Sequence, residues 1–154
     1  MEIVLNALLS VTSPAFENNG IIPLEYTYDG ENFSPELRVA NLPKETKSIA
    51  VIMDDPDAPS GTYVHWLLWN IPPREVIEKN SVEGIVGKNS KHETRYYGPC
   101  PPMAARHHYH FKVYALNDEL NLDSNTYKED LLKKMERHIL GKGELIGVYK
   151  SHTE

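Results

Sequence analysis

Three short stretches carry the side chains that could do chemistry. The first is Asp54-Asp55-Pro56-Asp57-Ala58-Pro59. Two like charges about 4 Å apart, at an effective dielectric near 20, cost roughly 4 kcal/mol. Three carboxylates in four positions therefore call for a cation, or a proton, among them. The two prolines stiffen the turn, and either the Asp55–Pro56 or the Ala58–Pro59 bond is open to the cis form that tight turns use. The second stretch is Gly61-Thr62-Tyr63-Val64-His65-Trp66, which sets a histidine in a strongly apolar run. The third is Tyr96-Tyr97-Gly98-Pro99-Cys100-Pro101-Pro102, followed by His107-His108-Tyr109-His110-Phe111. Gly98 permits close backbone approach, the prolines hold the loop stiff, and His107 falls where loop meets strand.

Several chemistries are open to these groups. Asp55, Asp57, His65 and His107 have the types of a two-histidine, two-carboxylate metal site for hydrolysis. Cys100 with His107 has the types of a nucleophile and its base. The same histidines, charged beside carboxylates, are donors for an anion. Each stretch also has a plainer reading. Asp and Pro are ordinary turn residues, a lone histidine in an apolar strand is commonly a core residue, and His108 and His110 suit a solvated or partner-facing edge.

The elements that must position these groups are mostly strands. Eleven prolines and nine glycines fall between short apolar runs, the pattern of an all-β sandwich or barrel. Residues 48–53 are nearly all apolar and read as a strand buried on both faces. A second strand covers 63–70 and ends at Pro72-Pro73. A third covers 108–116, with Tyr109, Phe111, Val113 and Ala115 on one face and His108, His110, Lys112 and Tyr114 on the other. A fourth covers 144–150. One helix is predicted: Thr126 with Glu129 makes a capping-box pattern, Leu131, Leu132, Met135 and Ile139 recur at helical spacing, and Gly141 is a plausible stop. Residues 78–95 are polar and weakly patterned, and read as a long surface excursion.

The 154 residues suit a single domain, 1–154, able to bury roughly 70% of its unfolded surface. The net charge of −6 disfavours a nucleic-acid partner. No apolar run approaches the ~18 residues of a membrane span, so stable insertion is not expected. The one cysteine rules out an intrachain disulfide framework and fits a reducing compartment. Residues 1–10 lack the basic start and cleavage site of an export signal, so a cytoplasmic chain beginning at Met1 is expected.

Taken together, the motifs resemble the phosphatidylethanolamine-binding protein family, also called the Raf kinase inhibitor-like family, in its short bacterial and archaeal form. The resemblance runs through Thr12-Ser13-Pro14-Ala15-Phe16, Tyr26-Thr27-Tyr28-Asp29-Gly30, Ser34-Pro35-Glu36-Leu37, 54–59, His65-Trp66, Asn70-Ile71-Pro72-Pro73 and 97–102. It implies a mainly β fold, an antiparallel β-sandwich with peripheral helices, and a small pocket for phosphate or phosphorylated head groups such as phosphoethanolamine. On that resemblance Asp55 and Asp57 match the pocket carboxylates, and Ala58 and Pro59 the adjoining turn, where the family has a cis peptide. His65 matches the pocket histidine of the middle strand. Gly98, Cys100 and Pro102 lie on the pocket loop. His107 and Tyr109 match the ends of a His-Arg-Tyr motif whose arginine is His108 here. The stretch Met103-Ala104-Ala105-Arg106 lacks the family's glycine, and Arg106 is a candidate for the missing charge. No long C-terminal helix follows residue 150, so a more open pocket is expected.

The resemblance therefore implies a binding protein rather than an enzyme, with no catalytic residue, no metal and no cofactor. A zwitterionic head group suits the mixed site: phosphate against charged histidines, ammonium against Asp55 or Asp57. The alternative reading is an inhibitor or scaffold acting on a kinase or protease. A homodimer through the face bearing His108, His110 and Tyr114 is a further expectation.

Overall fold

The computed structural model describes residues 7–102 and 105–150. Residues 1–6, on which the reading of the N-terminus rests, and Met103-Ala104 of the loop before His107 lie outside the described residues, as do 151–154. The strand expected over 48–53 extends to Asp55 (β5, Ser48–Asp55), and all of its residues are buried. Around it lie β6 (Tyr63–Ile71), β9 (Arg106–Leu116) and β10 (Ile139–Lys150). Shorter strands complete the fold: β1 (Ala7–Leu8), β2 (Ser10–Thr12), β3 (Gly20–Ile21), β4 (Leu37–Ala40), β7 (Val76–Ile77) and β8 (Ile85–Val86).

Two sheets result. The larger runs β1-β10-β9-β5-β6-β8, with β3 also paired to β10; the smaller is β2-β4-β7. The long neighbours are antiparallel, whereas β1 and β3 each lie parallel to β10. The core between the sheets sets Val11, Leu37, Val39 and Ile77 against Val51, Met53, Trp66, Leu68, Phe111 and Val113. Alternation along β9 is as expected. Tyr109, Phe111, Val113 and Ala115 are fully buried, and the other set turns outward.

The outer face of the large sheet buries Ala50, Ile52, Leu67 and Trp69 under Leu131 and Met135 of the helix α1 (Lys128–Met135). Each such apolar side chain contributes about 1.5–3 kcal/mol. The helix differs from expectation at both ends. Its N-cap is Tyr127, with no side-chain capping bond. Thr126 is held in the preceding turn, its N–H donating to the Asp123 carbonyl at 3.2 Å and its carbonyl accepting from Lys88 N–H at 2.9 Å. At the other end Ile139 and Gly141 belong to β10, where Ile139 pairs with Leu116 and Gly141 with Ala115. Pairing with β9 overrides the helical periodicity of that stretch. Gly141 is needed for closeness instead: a Cβ there would lie 3.0 Å from the Ala7 carbonyl of β1.

The excursion over 78–95 is anchored. β8 pairs with β6, and Ser90 is bonded twice to Val64: Ser90 N–H to the Val64 carbonyl at 2.9 Å, and Val64 N–H to Ser90 Oγ at 2.8 Å.

Candidate functional site

The carboxylate cluster at the end of β5 resolves its own repulsion by facing three directions. Asp54, 1% exposed, turns to the outer face and meets Lys112 Nζ at 3.1 Å and Lys128 Nζ at 2.8 Å. Asp55 turns to the inner face, where Oδ2 lies 2.6 Å from His107 Nδ1 and Oδ1 accepts the Asp57 N–H at 2.8 Å. Asp57 Oδ2 accepts the His108 N–H and faces His108 Nδ1, both at 2.8 Å. These bonds to His108 hold the Asp57 carboxyl below its usual range. Among the described residues every peptide bond is trans, so the cis bond expected at Asp55–Pro56 or Ala58–Pro59 is not present. The turn is closed instead by the Asp57 N–H bond to Asp55 and by the Gly61 N–H bond to the Ala58 carbonyl, 3.1 Å long.

His65 reaches the same place by an irregularity. In the β5–β6 ladder Met53 pairs with Trp66 and Asp54 with Val64, so His65 is an extra residue with no partner opposite. Such a bulge re-aims a side chain. It sets the His65 ring 5.2 Å from the Tyr109 ring, on the inner side. His65 Nδ1 lies 2.5 Å from the Tyr97 carbonyl, and Tyr97 N–H returns a 3.0 Å bond to the His65 carbonyl. A carbonyl only accepts, so Nδ1 carries the ring proton. Burial pushes the His65 pKa down and outweighs the opposing bond to Tyr97 and the nearby Asp55. The expectation that both pocket histidines are charged is corrected here: His65 is neutral at pH 7.

These groups line one cavity of about 290 Å³. Asp55, His65, His107 and Tyr109 line it, along with Ala58 and Pro59 of the turn and Cys100, Pro101 and Pro102 of the loop. The Tyr109 hydroxyl is buried and has no hydrogen-bond partner among the described residues. Burial, then the charge of Asp55, pushes its pKa upward, so it stays a neutral donor. Burial and then Asp29 raise the Cys100 thiol, the opposite of what an activated nucleophile needs.

Two of the expected pocket residues stand outside the cavity lining. Asp57 pairs with His108 at the surface, and Asp55, the carboxylate that does line the cavity, already accepts the Asp57 N–H and faces the His107 ring. Gly98 lies behind the wall. Its N–H donates to Asn32 Oδ1 at 2.7 Å, and a Cβ would sit 2.5 Å from that oxygen and 2.7 Å from the Tyr26 carbonyl. Arg106 lies on the face of β9 opposite His107 and lines a different cavity with Ile21, Val148 and Lys150, so it does not supply the pocket's charge.

Four lining side chains escaped the candidate residues: Tyr63, Lys91, Tyr97 and Pro101. Lys91 is the cation at the mouth, 5.9 Å above the Tyr97 ring, held there by the Ser90–Val64 bonds. Burial pushes the Tyr97 hydroxyl up to about 12. Lys91 gives no local signal, because it sits in a polar segment without periodicity. Tyr63, Tyr97 and Pro101 lie inside motifs that were visible.

The outward histidines are also paired. His110 Nδ1 lies 3.1 Å from Glu144 Oε2. No helix among the described residues is long and apolar enough to cross a membrane.

Comparison with known proteins agrees with this architecture. Residues 12–150 match the phosphatidylethanolamine-binding protein family. A UPF0098 protein of Pyrococcus horikoshii is 44% identical over 148 residues, covering 90% of this chain and 75% of the relative. The crystal structure of a phosphatidylethanolamine-binding protein homologue, CT736 of Chlamydia trachomatis, superposes with a TM-score of 0.89 at 34% identity, covering 95% of this chain and 99% of that one. E. coli YbcL, described as a new member of the mammalian family, superposes with a TM-score of 0.86 at 28% identity, over 94% of this chain and 99% of its own. With its motifs, its sheets and these relatives in agreement, the chain belongs to the phosphatidylethanolamine-binding protein family.

Proposed function

We infer that the protein is a binding protein whose cavity takes phosphate or a small phosphorylated group without transforming it. The observation that carries this reading is the Tyr109 hydroxyl, buried at the cavity wall with no partner among the described residues. An unmet buried donor costs about 1–3 kcal/mol, which an oxygen-rich ligand would recover. The neighbouring groups suit such a ligand. His107 is fixed by Asp55 with Nδ1 engaged, leaving Nε2 for the cavity. Lys91 adds a cation at the mouth. Compared with a zwitterionic head group, a plain phosphate suits the site better, because the carboxylate lining the cavity, Asp55, is already turned to the His107 ring and the Asp57 N–H.

The test is histidine side-chain NMR at pH 6 with inorganic phosphate and, separately, O-phosphoethanolamine. Saturable shifts at His65 and His107, with His138 unmoved, are expected for both ligands. Phosphate should bind at least as tightly as O-phosphoethanolamine. No shift with either at millimolar concentration overturns the reading and moves the inhibitor of a kinase or protease to the front.

A further inference from the structure

We propose that the cavity selects an oxyanion carrying a proton of its own, as hydrogenphosphate does, and rejects one that carries none, as sulfate does. The inference rests on the anion reading above and specifies which anion.

The argument starts from the bulge in β6. It turns His65 inward and aims Nδ1 at the Tyr97 carbonyl, 2.5 Å away. Since that oxygen has no proton to give, Nδ1 is the protonated nitrogen. The ring is 4% exposed, and burial opposes a second proton. Nε2 therefore presents a lone pair, and no hydrogen bond to it occurs among the described residues. The cavity thus offers a fixed acceptor beside its donors, the Tyr109 hydroxyl and Lys91.

An acceptor at the cavity wall and an unprotonated anion oxygen set directly against it repel each other, because neither has a proton to give. Phosphate meets the arrangement differently. Near pH 7 both of its prevalent forms keep at least one P–OH. That hydroxyl donates to His65 Nε2, while the remaining oxygens accept from Tyr109 and Lys91. Sulfate has the same size and tetrahedral shape but no proton at this pH, so any of its oxygens that meets Nε2 faces a lone pair. Discrimination of this kind is large, because a mismatched buried polar group loses its water without gaining a bond.

The experiment is calorimetric titration of the full chain with phosphate and with sulfate at pH 7 and equal ionic strength. It is joined to ¹H–¹⁵N spectra that assign the His65 tautomer without any mutation. Phosphate binding at least tenfold tighter than sulfate, with the His65 proton on Nδ1, is the expected result. The variant His65→Gln, which can turn an amide N–H into the cavity, should bring the two affinities within about threefold by improving sulfate. Equal binding of both anions by the parent chain, or a proton on His65 Nε2, overturns the inference and leaves the anion reading standing. Binding of neither anion overturns the anion reading and the inference with it.

Discussion

Exchanging Asp55 for asparagine tests whether the buried carboxylate organises the site. The side chains of Asp55 and His107 are 4% and 8% exposed, and their bond is 2.6 Å long. Asp55 serves two donors, the His107 ring through Oδ2 and the Asp57 N–H through Oδ1. Asp55→Asn keeps the shape but offers a single oxygen, so its amide must point N–H toward one of those donors. A hydrogen bond to a charged group is worth about 1.5–3 kcal/mol, and the stranded donor costs about 1–3 more. Relaxation recovers part of this, and a loss of about 3 kcal/mol is expected. For a chain of this length that lowers Tm by roughly 6–12 °C. Urea denaturation at pH 7 should show a lower midpoint with an unchanged slope. Phosphate affinity should fall by about tenfold, because the His107 ring loses the carboxylate that orients it. Asp57→Asn is the control. The Asp57–His108 pair is 41% and 49% exposed, and such pairs are worth about 0–1 kcal/mol. If Asp55→Asn costs under about 0.5 kcal/mol, or no more than Asp57→Asn, the buried pair is not what holds the site and the reasoning fails.

Other outcomes follow from the same geometry. Because burial lowers the His65 pKa, the native ring stays neutral where the unfolded ring takes up a proton. Stability is thus retained above about pH 6.5 and lost as pH falls below it, with a contribution of up to about 1.4 kcal/mol per pH unit. Urea midpoints from pH 7.5 to 5.0 should show a shallower acid decline in His65→Gln; equal declines would contradict this account. Gly98→Ala forces a Cβ to within 2.5 Å of Asn32 Oδ1 and 2.7 Å of the Tyr26 carbonyl, and should cost about 1–3 kcal/mol by denaturation. Lys91→Ala leaves the fold unchanged, weakens phosphate binding roughly three- to tenfold and flattens its salt dependence. Calorimetry between low and moderate salt would reveal the flattening.

The long strands were legible in the sequence, and the short ones were not. β5, β6 and β9 announce themselves through apolar runs and alternation, which eight or more residues suffice to display. β1, β3 and β8 have two residues each, too few for any period, and exist because a longer strand offers them an edge. The helix was half legible. Its apolar spacing is genuine through Met135, but the pattern continues into Ile139 by coincidence, where β9 claims the chain. In the site, His107 and Tyr109 share a face by alternation along β9, and Asp55 is placed by the family resemblance, beyond the strand expected over 48–53. His65 does not, because strict alternation sets it opposite Trp66 and only the bulge brings it inward. Asp57 and Gly98 belong to visible motifs but act as supports, and motif membership does not distinguish a lining residue from its brace. Lys91 enters through the Ser90–Val64 bonds, a contact between distant residues that neither segment encodes alone.

The edge of β10 has a consequence for how the chain is made. β1 holds this edge at Gly141 and Lys142, and β3 holds it at Gly147 and Val148. Between them the Asn19 N–H donates to the Ile146 carbonyl and Asn18 Oδ1 accepts the Ile146 N–H. The segments that seal the sheet therefore leave the ribosome more than a hundred residues before the strand they seal. Until β10 emerges, β9 keeps an open edge of eleven residues and β1 and β3 have nothing to pair with. Translation must run almost to residue 150 before the sheet can close. The half-made chain is thus the state most exposed to strand-to-strand association with its neighbours.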